Sequence, residues 1–296
     1  MKPKEAFPWK NHPLPLHILD GAWASEWIAK EGFHRQCFDS YNITRPEEVR
    51  TLAARYVEAG SHIILTNTFQ SSSFALRRSG WEKQWEAINR AGVRLSQEAA
   101  QNKAWVFASM GPLLVQKKQA LAQKNRLRQS AQDQARVLAE SGAEAIILET
   151  FSHPLETQIV VEALLDILND FPLGLSGCFG FGENGFFSPE GWAVQEFIQT
   201  YASYPLAFWG ANCGASLLQT TFFLEFFQAH SRPIWLKPGM GTPQLENGTF
   251  RYPFAQQVPW KKLFKPGVSF LGGCCGTTPA EIKRLRGLQG QFFDNP

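Results

Sequence analysis

The sequence has no run of 18 consecutive apolar residues, so no segment of it reads as a membrane-crossing helix. Its first residues, MKPKEAFPWKNHPLPL, put prolines and charges where a secretion signal needs an unbroken apolar stretch. Both absences lead to the expectation of a cytoplasmic protein with no membrane partner. A charge excess of one sign is also missing. Lys and Arg number 29 against 26 Asp and Glu, and a net charge of +3 is too small to mark a nucleic-acid surface. Cysteine is scarce, with five residues in 296, and an odd count in so long a chain is not a disulfide framework. Gly/Ser linkers, internal repeats and low-complexity tracts are absent, so residues 1–296 read as a single domain able to bury its core without staples. With 44% apolar and 19% charged residues, the chain is neither disordered nor collagen-like.

What is present is an alternation. Short apolar runs at 16–19, 62–65, 106–109, 145–148, 173–178, 207–211, 234–236 and 269–271 read as strands, and between them lie amphipathic stretches such as 81–100, 128–141, 155–168, 189–201 and 217–229. Ala131, Ala135 and Leu138 show the helical spacing in the second of these. Strand and helix in alternation imply parallel strands joined by crossovers. Eight such units in under 300 residues predict an α/β chain forming a (β/α)8 TIM barrel, with an open doubly wound sheet as second choice. The basic stretch 116–128, QKKQALAQKNRLR, reads as a solvated loop and helix start.

In such a barrel the chemistry sits where strands end. The first run ends in Asp20-Gly21-Ala22, the second in Thr66-Asn67-Thr68-Phe69 and the fourth in Glu149-Thr150. The sixth ends in Asn212-Cys213-Gly214, the seventh in Lys237-Pro238-Gly239, and the eighth in Gly272-Gly273-Cys274-Cys275-Gly276. Neighbouring α-carbons are about 3.8 Å apart, closer than the roughly 4.4–6.8 Å that a disulfide prefers, so Cys274 and Cys275 do not read as a bridge. Two thiols side by side among glycines suit a metal, and Cys213 ends another strand in a similar setting. The alternative is that they are small buried residues packing the strand ends, which is the reading kept for Cys37 and Cys178.

The runs GANCG (210–214) and GGCCGTTP (272–279) resemble the homocysteine S-methyltransferase family. LDGA (19–22), ILTNTF (64–69), GP (111–112), LET (148–150) and KPGMGTP (237–243) follow in the family's order, so the resemblance spans nearly the whole chain. It implies a (β/α)8 barrel that uses zinc (Zn2+) held by Cys213, Cys274 and Cys275. It further implies that Asp20, Gly21 and Glu149 hold the amino acid part of homocysteine, and that Thr66 and Asn212 line the same pocket. The chemistry is self-consistent, because an ammonium calls for a carboxylate, a carboxylate for main-chain N–H groups such as that of Gly21, and a thiol for a thiophilic metal. Zinc lowers the pKa of a bound thiol, which can then attack an activated methyl group directly to give methionine. His62 and His153 have no part in this scheme and read as packing or surface residues.

Two loops depart from the family's pattern. DGAWASEW brings Trp23 and Trp27 where small residues are usual, and GPLLVQKKQ lacks the usual aromatic and glycine after the third strand. Both belong to the donor side of the pocket. Trp23, Trp27, Phe69 and Phe74 are near the right strand ends to face a diffuse cation. A chain of 296 residues has no room for folate or cobalamin domains or for the long extension of betaine-using members, so the expected donor is S-methylmethionine, with S-adenosylmethionine used less well. Alternatives are another thiol or selenol as acceptor, a methyl group from a corrinoid partner protein or betaine, or a silent barrel that binds zinc and an amino acid. The expected assembly is a monomer or small homo-oligomer.

Overall fold

The computed structural model describes residues 16–32, 37–113, 121–182, 185–241, 244–246, 249–252 and 258–293. Eight apolar runs pair in parallel as β1 (His17–Ile18), β2 (Ile63–Leu65), β3 (Trp105–Met110), β4 (Ala145–Phe151), β5 (Leu173–Gly177), β6 (Phe208–Ser216), β7 (Ile234–Gly239) and β8 (Val268–Leu271). Their order is β1-β8-β7-β6-β5-β4-β3-β2. The ring is brought together by an isolated parallel bridge between Leu19 and Ile63. At that seam the His62 N–H donates to the Ile18 carbonyl (2.7 Å), and His62 Nδ1 accepts from the Ile18 N–H (2.9 Å). A histidine read as mere packing thus joins the first and second strands, and the expected (β/α)8 barrel is what the chain forms.

Some of the covering helices start at recognisable sequence signals. Pro46 opens α2 (Pro46–Glu58) with Glu47 and Glu48 in its first turn, after the short α1 (Ala24–Glu31). The helices α3 (Trp85–Ala100) and α4 (Lys124–Glu140) precede β3 and β4. His153 Nδ1 accepts from the Glu156 N–H at the start of α5 (Pro154–Leu168), and Ser216 and Gln219 form a capping box on α7 (Leu217–Gln228). The helix expected from 189 begins only at Val194 (α6, Val194–Tyr201), because 189–193 fold as a turn closed by Ser188 and Trp192. The last helix is α8 (Pro279–Phe293). In the basic stretch, 116–120 lie outside the described residues, as do 114–115 of the departing GPLLVQKKQ loop and 242–243 of the KPGMGTP run. The remainder leads into α4, where Arg128 pairs with Asp166 on the surface. No helix among the described residues is long and apolar enough to cross a membrane.

Alternation along the strands decides what fills the barrel. Ile63, Phe107, Ile147, Phe208, Trp235 and Phe270 belong to an inner cluster, while Ile64, Val106, Ile146 and Leu236 belong to a second one that includes the helices. The inner cluster is a stack of rings, with Phe208 5.8 Å from Phe107, 5.3 Å from Trp235 and 5.1 Å from Phe270. Two residues further along each strand, the same inward face delivers Ser109, Glu149 and Lys237. A polar layer therefore sits directly on an apolar plug.

Strand contact leaves no room at Gly210, where an added Cβ would lie 1.7 Å from the Trp235 carbonyl oxygen. Gly210→Ala is therefore expected to cost about 1–3 kcal/mol through forced backbone displacement. Urea unfolding checks this, as a lower midpoint with an unchanged slope.

Candidate functional site

Above the polar layer is a cavity of about 340 Å³. Its walls include Gly21, Thr66, Ser109, Glu149, Lys237 and all three of Cys213, Cys274 and Cys275. Two hollows of 510 and 430 Å³ open among strand starts at the opposite end, and neither contains a cysteine.

The thiols arrive from two strands. Cys213 interrupts β6 in a left-handed conformation (φ 58°), followed by Gly214 (φ 55°), whose missing side chain leaves space for the Phe179 carbonyl and the Cys178 sulfur. Cys274 and Cys275 follow β8 in a turn closed by Thr277 N–H to Cys274 C=O (3.0 Å), with Gly276 at φ 82°. The Cys213 and Cys275 sulfurs are 3.8 Å apart, those of Cys274 and Cys275 are 3.9 Å apart, and all three lie within 4.8 Å of one another. Tetrahedral ligands at a zinc–sulfur distance of about 2.3 Å are about 3.8 Å from each other, so the trio has the donor type and spacing of such a site. Together the thiols resist ionisation. Contact with Cys178 pushes Cys213 up, and contact with Cys213 pushes Cys274 up. The Cys178 thiol, expected to be inert packing, therefore lies against Cys213.

Beside the thiols runs a row of buried charges. Lys237 Nζ donates to Asp20 Oδ1 at 2.5 Å. Asp20 Oδ2 accepts from the Leu65 N–H (2.8 Å) and from Trp23 Nε1 (3.0 Å). Both oxygens of Asp20 are thus engaged, and this carboxylate anchors Lys237 instead of walling the cavity. Burial works against the charge on Lys237, but Asp20 and Glu149 outweigh it and hold its pKa above the ordinary lysine value. Glu149 does wall the cavity, with Oε1 accepting from Ser109 Oγ. Burial pushes its carboxyl above the ordinary range, against the pull of Lys237 and the Ser109 hydrogen bond.

Asn212 works one step behind. Its Oδ1 accepts from the Thr150 N–H (2.8 Å) and Ser176 Oγ (2.7 Å), and its Nδ2 donates to Thr150 Oγ1 (2.7 Å). It thereby clamps Thr150 in a left-handed conformation (φ 66°) immediately after Glu149. Thr66, on the cavity wall, bonds Thr68 Oγ1 at 2.5 Å and accepts from the Ser109 N–H at 3.1 Å. Gly21 cannot carry a side chain, since a Cβ there would meet the Thr277 carbonyl oxygen at 2.3 Å.

The remaining wall is aromatic. Trp23, Phe38 and Phe69 line it, whereas Trp27 is buried against Phe38 and Tyr41, and Phe74 packs under Arg126. Leu113 is buried away from the cavity, its N–H held by Glu156 and its carbonyl by Arg78. Sequence reasoning gave no role to Lys237, although Trp235-Leu236-Lys237 alternates so as to put the lysine on the same face as the inward tryptophan. It also missed Ser109, for which the same signal existed, and Asp39, for which none did. Asp39 stands in a single 3-10 turn (Phe38–Ser40), outside any strand end.

The family model described as homocysteine S-methyltransferase matches residues 17–288. Among curated proteins, the chain is 25% identical over 282 residues to homocysteine S-methyltransferase 2 of Arabidopsis thaliana, covering 82% of this chain and 83% of that protein. It is 25% identical over 265 residues to S-methylmethionine–homocysteine S-methyltransferase BHMT2 of Pongo abelii, covering 82% of this chain and 69% of that one. Among solved structures, the metallated form of the homocysteine methyltransferase MmuM from Escherichia coli superposes with a TM-score of 0.73 at 22% identity, over 93% of this chain and 97% of that chain. The fold is therefore shared, and with a match from the first strand into the last helix the chain belongs to the homocysteine S-methyltransferase family.

Proposed function

We propose that this barrel transfers a methyl group to the thiol of homocysteine, with zinc on Cys213, Cys274 and Cys275 and with S-methylmethionine, or S-adenosylmethionine less well, as donor. The observation that carries this reading is the convergence of three thiols, the buried Glu149 carboxylate and a glycine main chain on a single cavity. The residues present fit the metal by donor type and spacing. Three protein ligands, moreover, are the number that leaves a fourth position for a substrate. The similar MmuM structure is described as metallated. Bound there, zinc would let the substrate thiol lose its proton at neutral pH.

The chain's own groups do the rest. Glu149 receives the ammonium of homocysteine, and Ser109 fixes the carboxylate that does so. The main chain at Gly21 faces the substrate carboxylate. Asp20 holds Lys237, and Lys237 in turn favours the ionised form of Glu149. Asn212 and Thr66 position the loops that bear these groups. The acceptor sulfur then meets the methyl carbon in line, its lone pair forms the new S–C bond, and the donor's S–C electrons return to the donor sulfur. The setting in this reading is cytoplasmic, where thiols stay reduced, and one barrel domain acts as a monomer or small homo-oligomer on two small molecules.

The test is methionine formation from homocysteine, followed by mass spectrometry with metal-loaded protein. S-methylmethionine, S-adenosylmethionine, betaine and methylfolate are supplied in parallel. Product with S-methylmethionine is expected, and no product with any donor would overturn the reading. Glu149→Gln is expected to raise the homocysteine KM about 10- to 100-fold, the worth of a hydrogen bond to a charged group. Because burial raises the Glu149 pKa, the carboxylate protonates, and homocysteine binding weakens, at a higher pH than for an ordinary carboxylate. That acid limb in KM should vanish in the Gln variant.

A further inference from the structure

One buried carboxylate in the cavity wall has no part in the scheme above. Asp39 is 6% exposed and lines the cavity together with Phe38, Phe69 and Gln70. Its Oδ2 accepts from the Gln70 N–H at 2.6 Å and from Ser71 Oγ at 2.7 Å. Its Oδ1 accepts from nothing among the described residues, and it is not among the atoms sealed from solvent without a partner. With the residue itself buried, the cavity is the opening left to that oxygen. The mount is rigid. Asn67 Nδ2 donates to the Phe38 carbonyl (2.9 Å) and to Asn42 Oδ1 (3.0 Å), and Asn42 Nδ2 returns a bond to the Asn67 carbonyl (2.7 Å). The turn that bears Asp39 is thereby tied to the end of β2.

Such an arrangement is costly without a cation. Burial holds the Asp39 carboxyl up at about 6, against the two bonds it accepts, so those bonds compensate its ionised form only in part. Lys237 is a cationic residue of the wall, and its Nζ is committed to Asp20. Among the described residues of the wall no other cation is free to meet Asp39, so a cationic ligand is the partner its open oxygen suits. A carboxylate oxygen with a free lone pair is matched by an N–H donor, which an ammonium has and a sulfonium lacks. A diffuse sulfonium is matched by aromatic faces, and Trp23, Phe38 and Phe69 surround the same space.

We propose that Asp39 is the specificity residue for the methyl donor. Its Oδ1 receives the ammonium of an S-methylated amino acid whose sulfonium rests against Trp23, Phe38 and Phe69. This rests on the reading of the cavity as a methyltransferase site and assigns its donor half. The ammonium keeps its charge while the sulfonium loses its own in the transfer, so the Asp39 contact is equally strong before and during reaction. It therefore acts on KM and leaves kcat alone. A donor with a quaternary nitrogen in place of an ammonium gains nothing from Oδ1.

The test compares wild type with Asp39→Asn, whose side-chain oxygen can still accept from Gln70 and Ser71. Calorimetric titration with S-methylmethionine, in the absence of homocysteine, reads the contact without turnover. Binding to wild type that weakens about 10- to 100-fold in Asp39→Asn supports the proposal. Equal binding to the two, or none to wild type, overturns it. Steady-state kinetics add a second readout, where the donor KM rises by a similar factor with the homocysteine KM and metal content unmoved. A rise in both KM values with loss of metal would instead make Asp39 a structural residue and overturn the assignment. If wild type binds S-methylmethionine but makes no methionine, the acceptor reading fails, and the calorimetric comparison still decides the role of Asp39.

Discussion

Cys274→Ser and Cys213→Ser are each expected to bring the metal content from about one ion per chain to near zero, with methyl transfer down on the order of 10³-fold. The loss has two sources. A serine hydroxyl at neutral pH is neither ionised nor soft, so one corner of the sulfur triangle described above disappears. Without it the acceptor sulfur loses both its ionised fraction and its fixed position. Metal analysis together with methionine production checks the outcome. A Cys274→Ser protein that keeps one ion and full turnover would remove the basis for the proposed site. Circular dichroism separates this from unfolding, because these residues cap strand ends and lie outside both apolar clusters.

The second large effect is on stability. Lys237→Met leaves the Asp20 carboxylate, which has no exposed surface, without its counter-charge. Breaking a buried pair from one side costs about 3–5 kcal/mol, equivalent to roughly 5–8 °C in melting temperature for a domain of this size. Adding Asp20→Asn should recover a good part of that loss, because the uncompensated charge goes while its hydrogen bonds from Leu65 and Trp23 can still be accepted. A double-mutant cycle by thermal unfolding measures the coupling. Equal losses for Lys237→Met alone and for the double variant would show that the pair contributes packing and no electrostatics.

Much of this architecture could be read in the chain itself, for reasons that particular residues make plain. The eight strands were legible because each is an apolar run bounded by polar or glycine residues, and strand ends such as Glu149 and Cys213 follow directly from those runs. What failed to show was how each residue is used. Asp20 looks in sequence like Glu149, an acid at a strand end. Only the fold reveals that a lysine 217 positions away occupies it. Asn212 likewise proves to hold Thr150, a partner 62 positions distant. The bulky Trp27 and the aromatic Phe74 were indistinguishable from Trp23 and Phe69 until packing turned the first pair away from the cavity. Asp39 could not be read at all, because the single turn that holds it depends on Asn42 and Asn67 and shows no periodicity of its own.

The ring stack of Phe107, Phe208, Trp235 and Phe270 makes the barrel a blind alley. These rings are fully buried, so no molecule passes between the two ends of the tube. Acceptor, donor and both products therefore share the strand-end side of the barrel. A closed floor of this kind confines all traffic to one face of the barrel before any chemistry takes place.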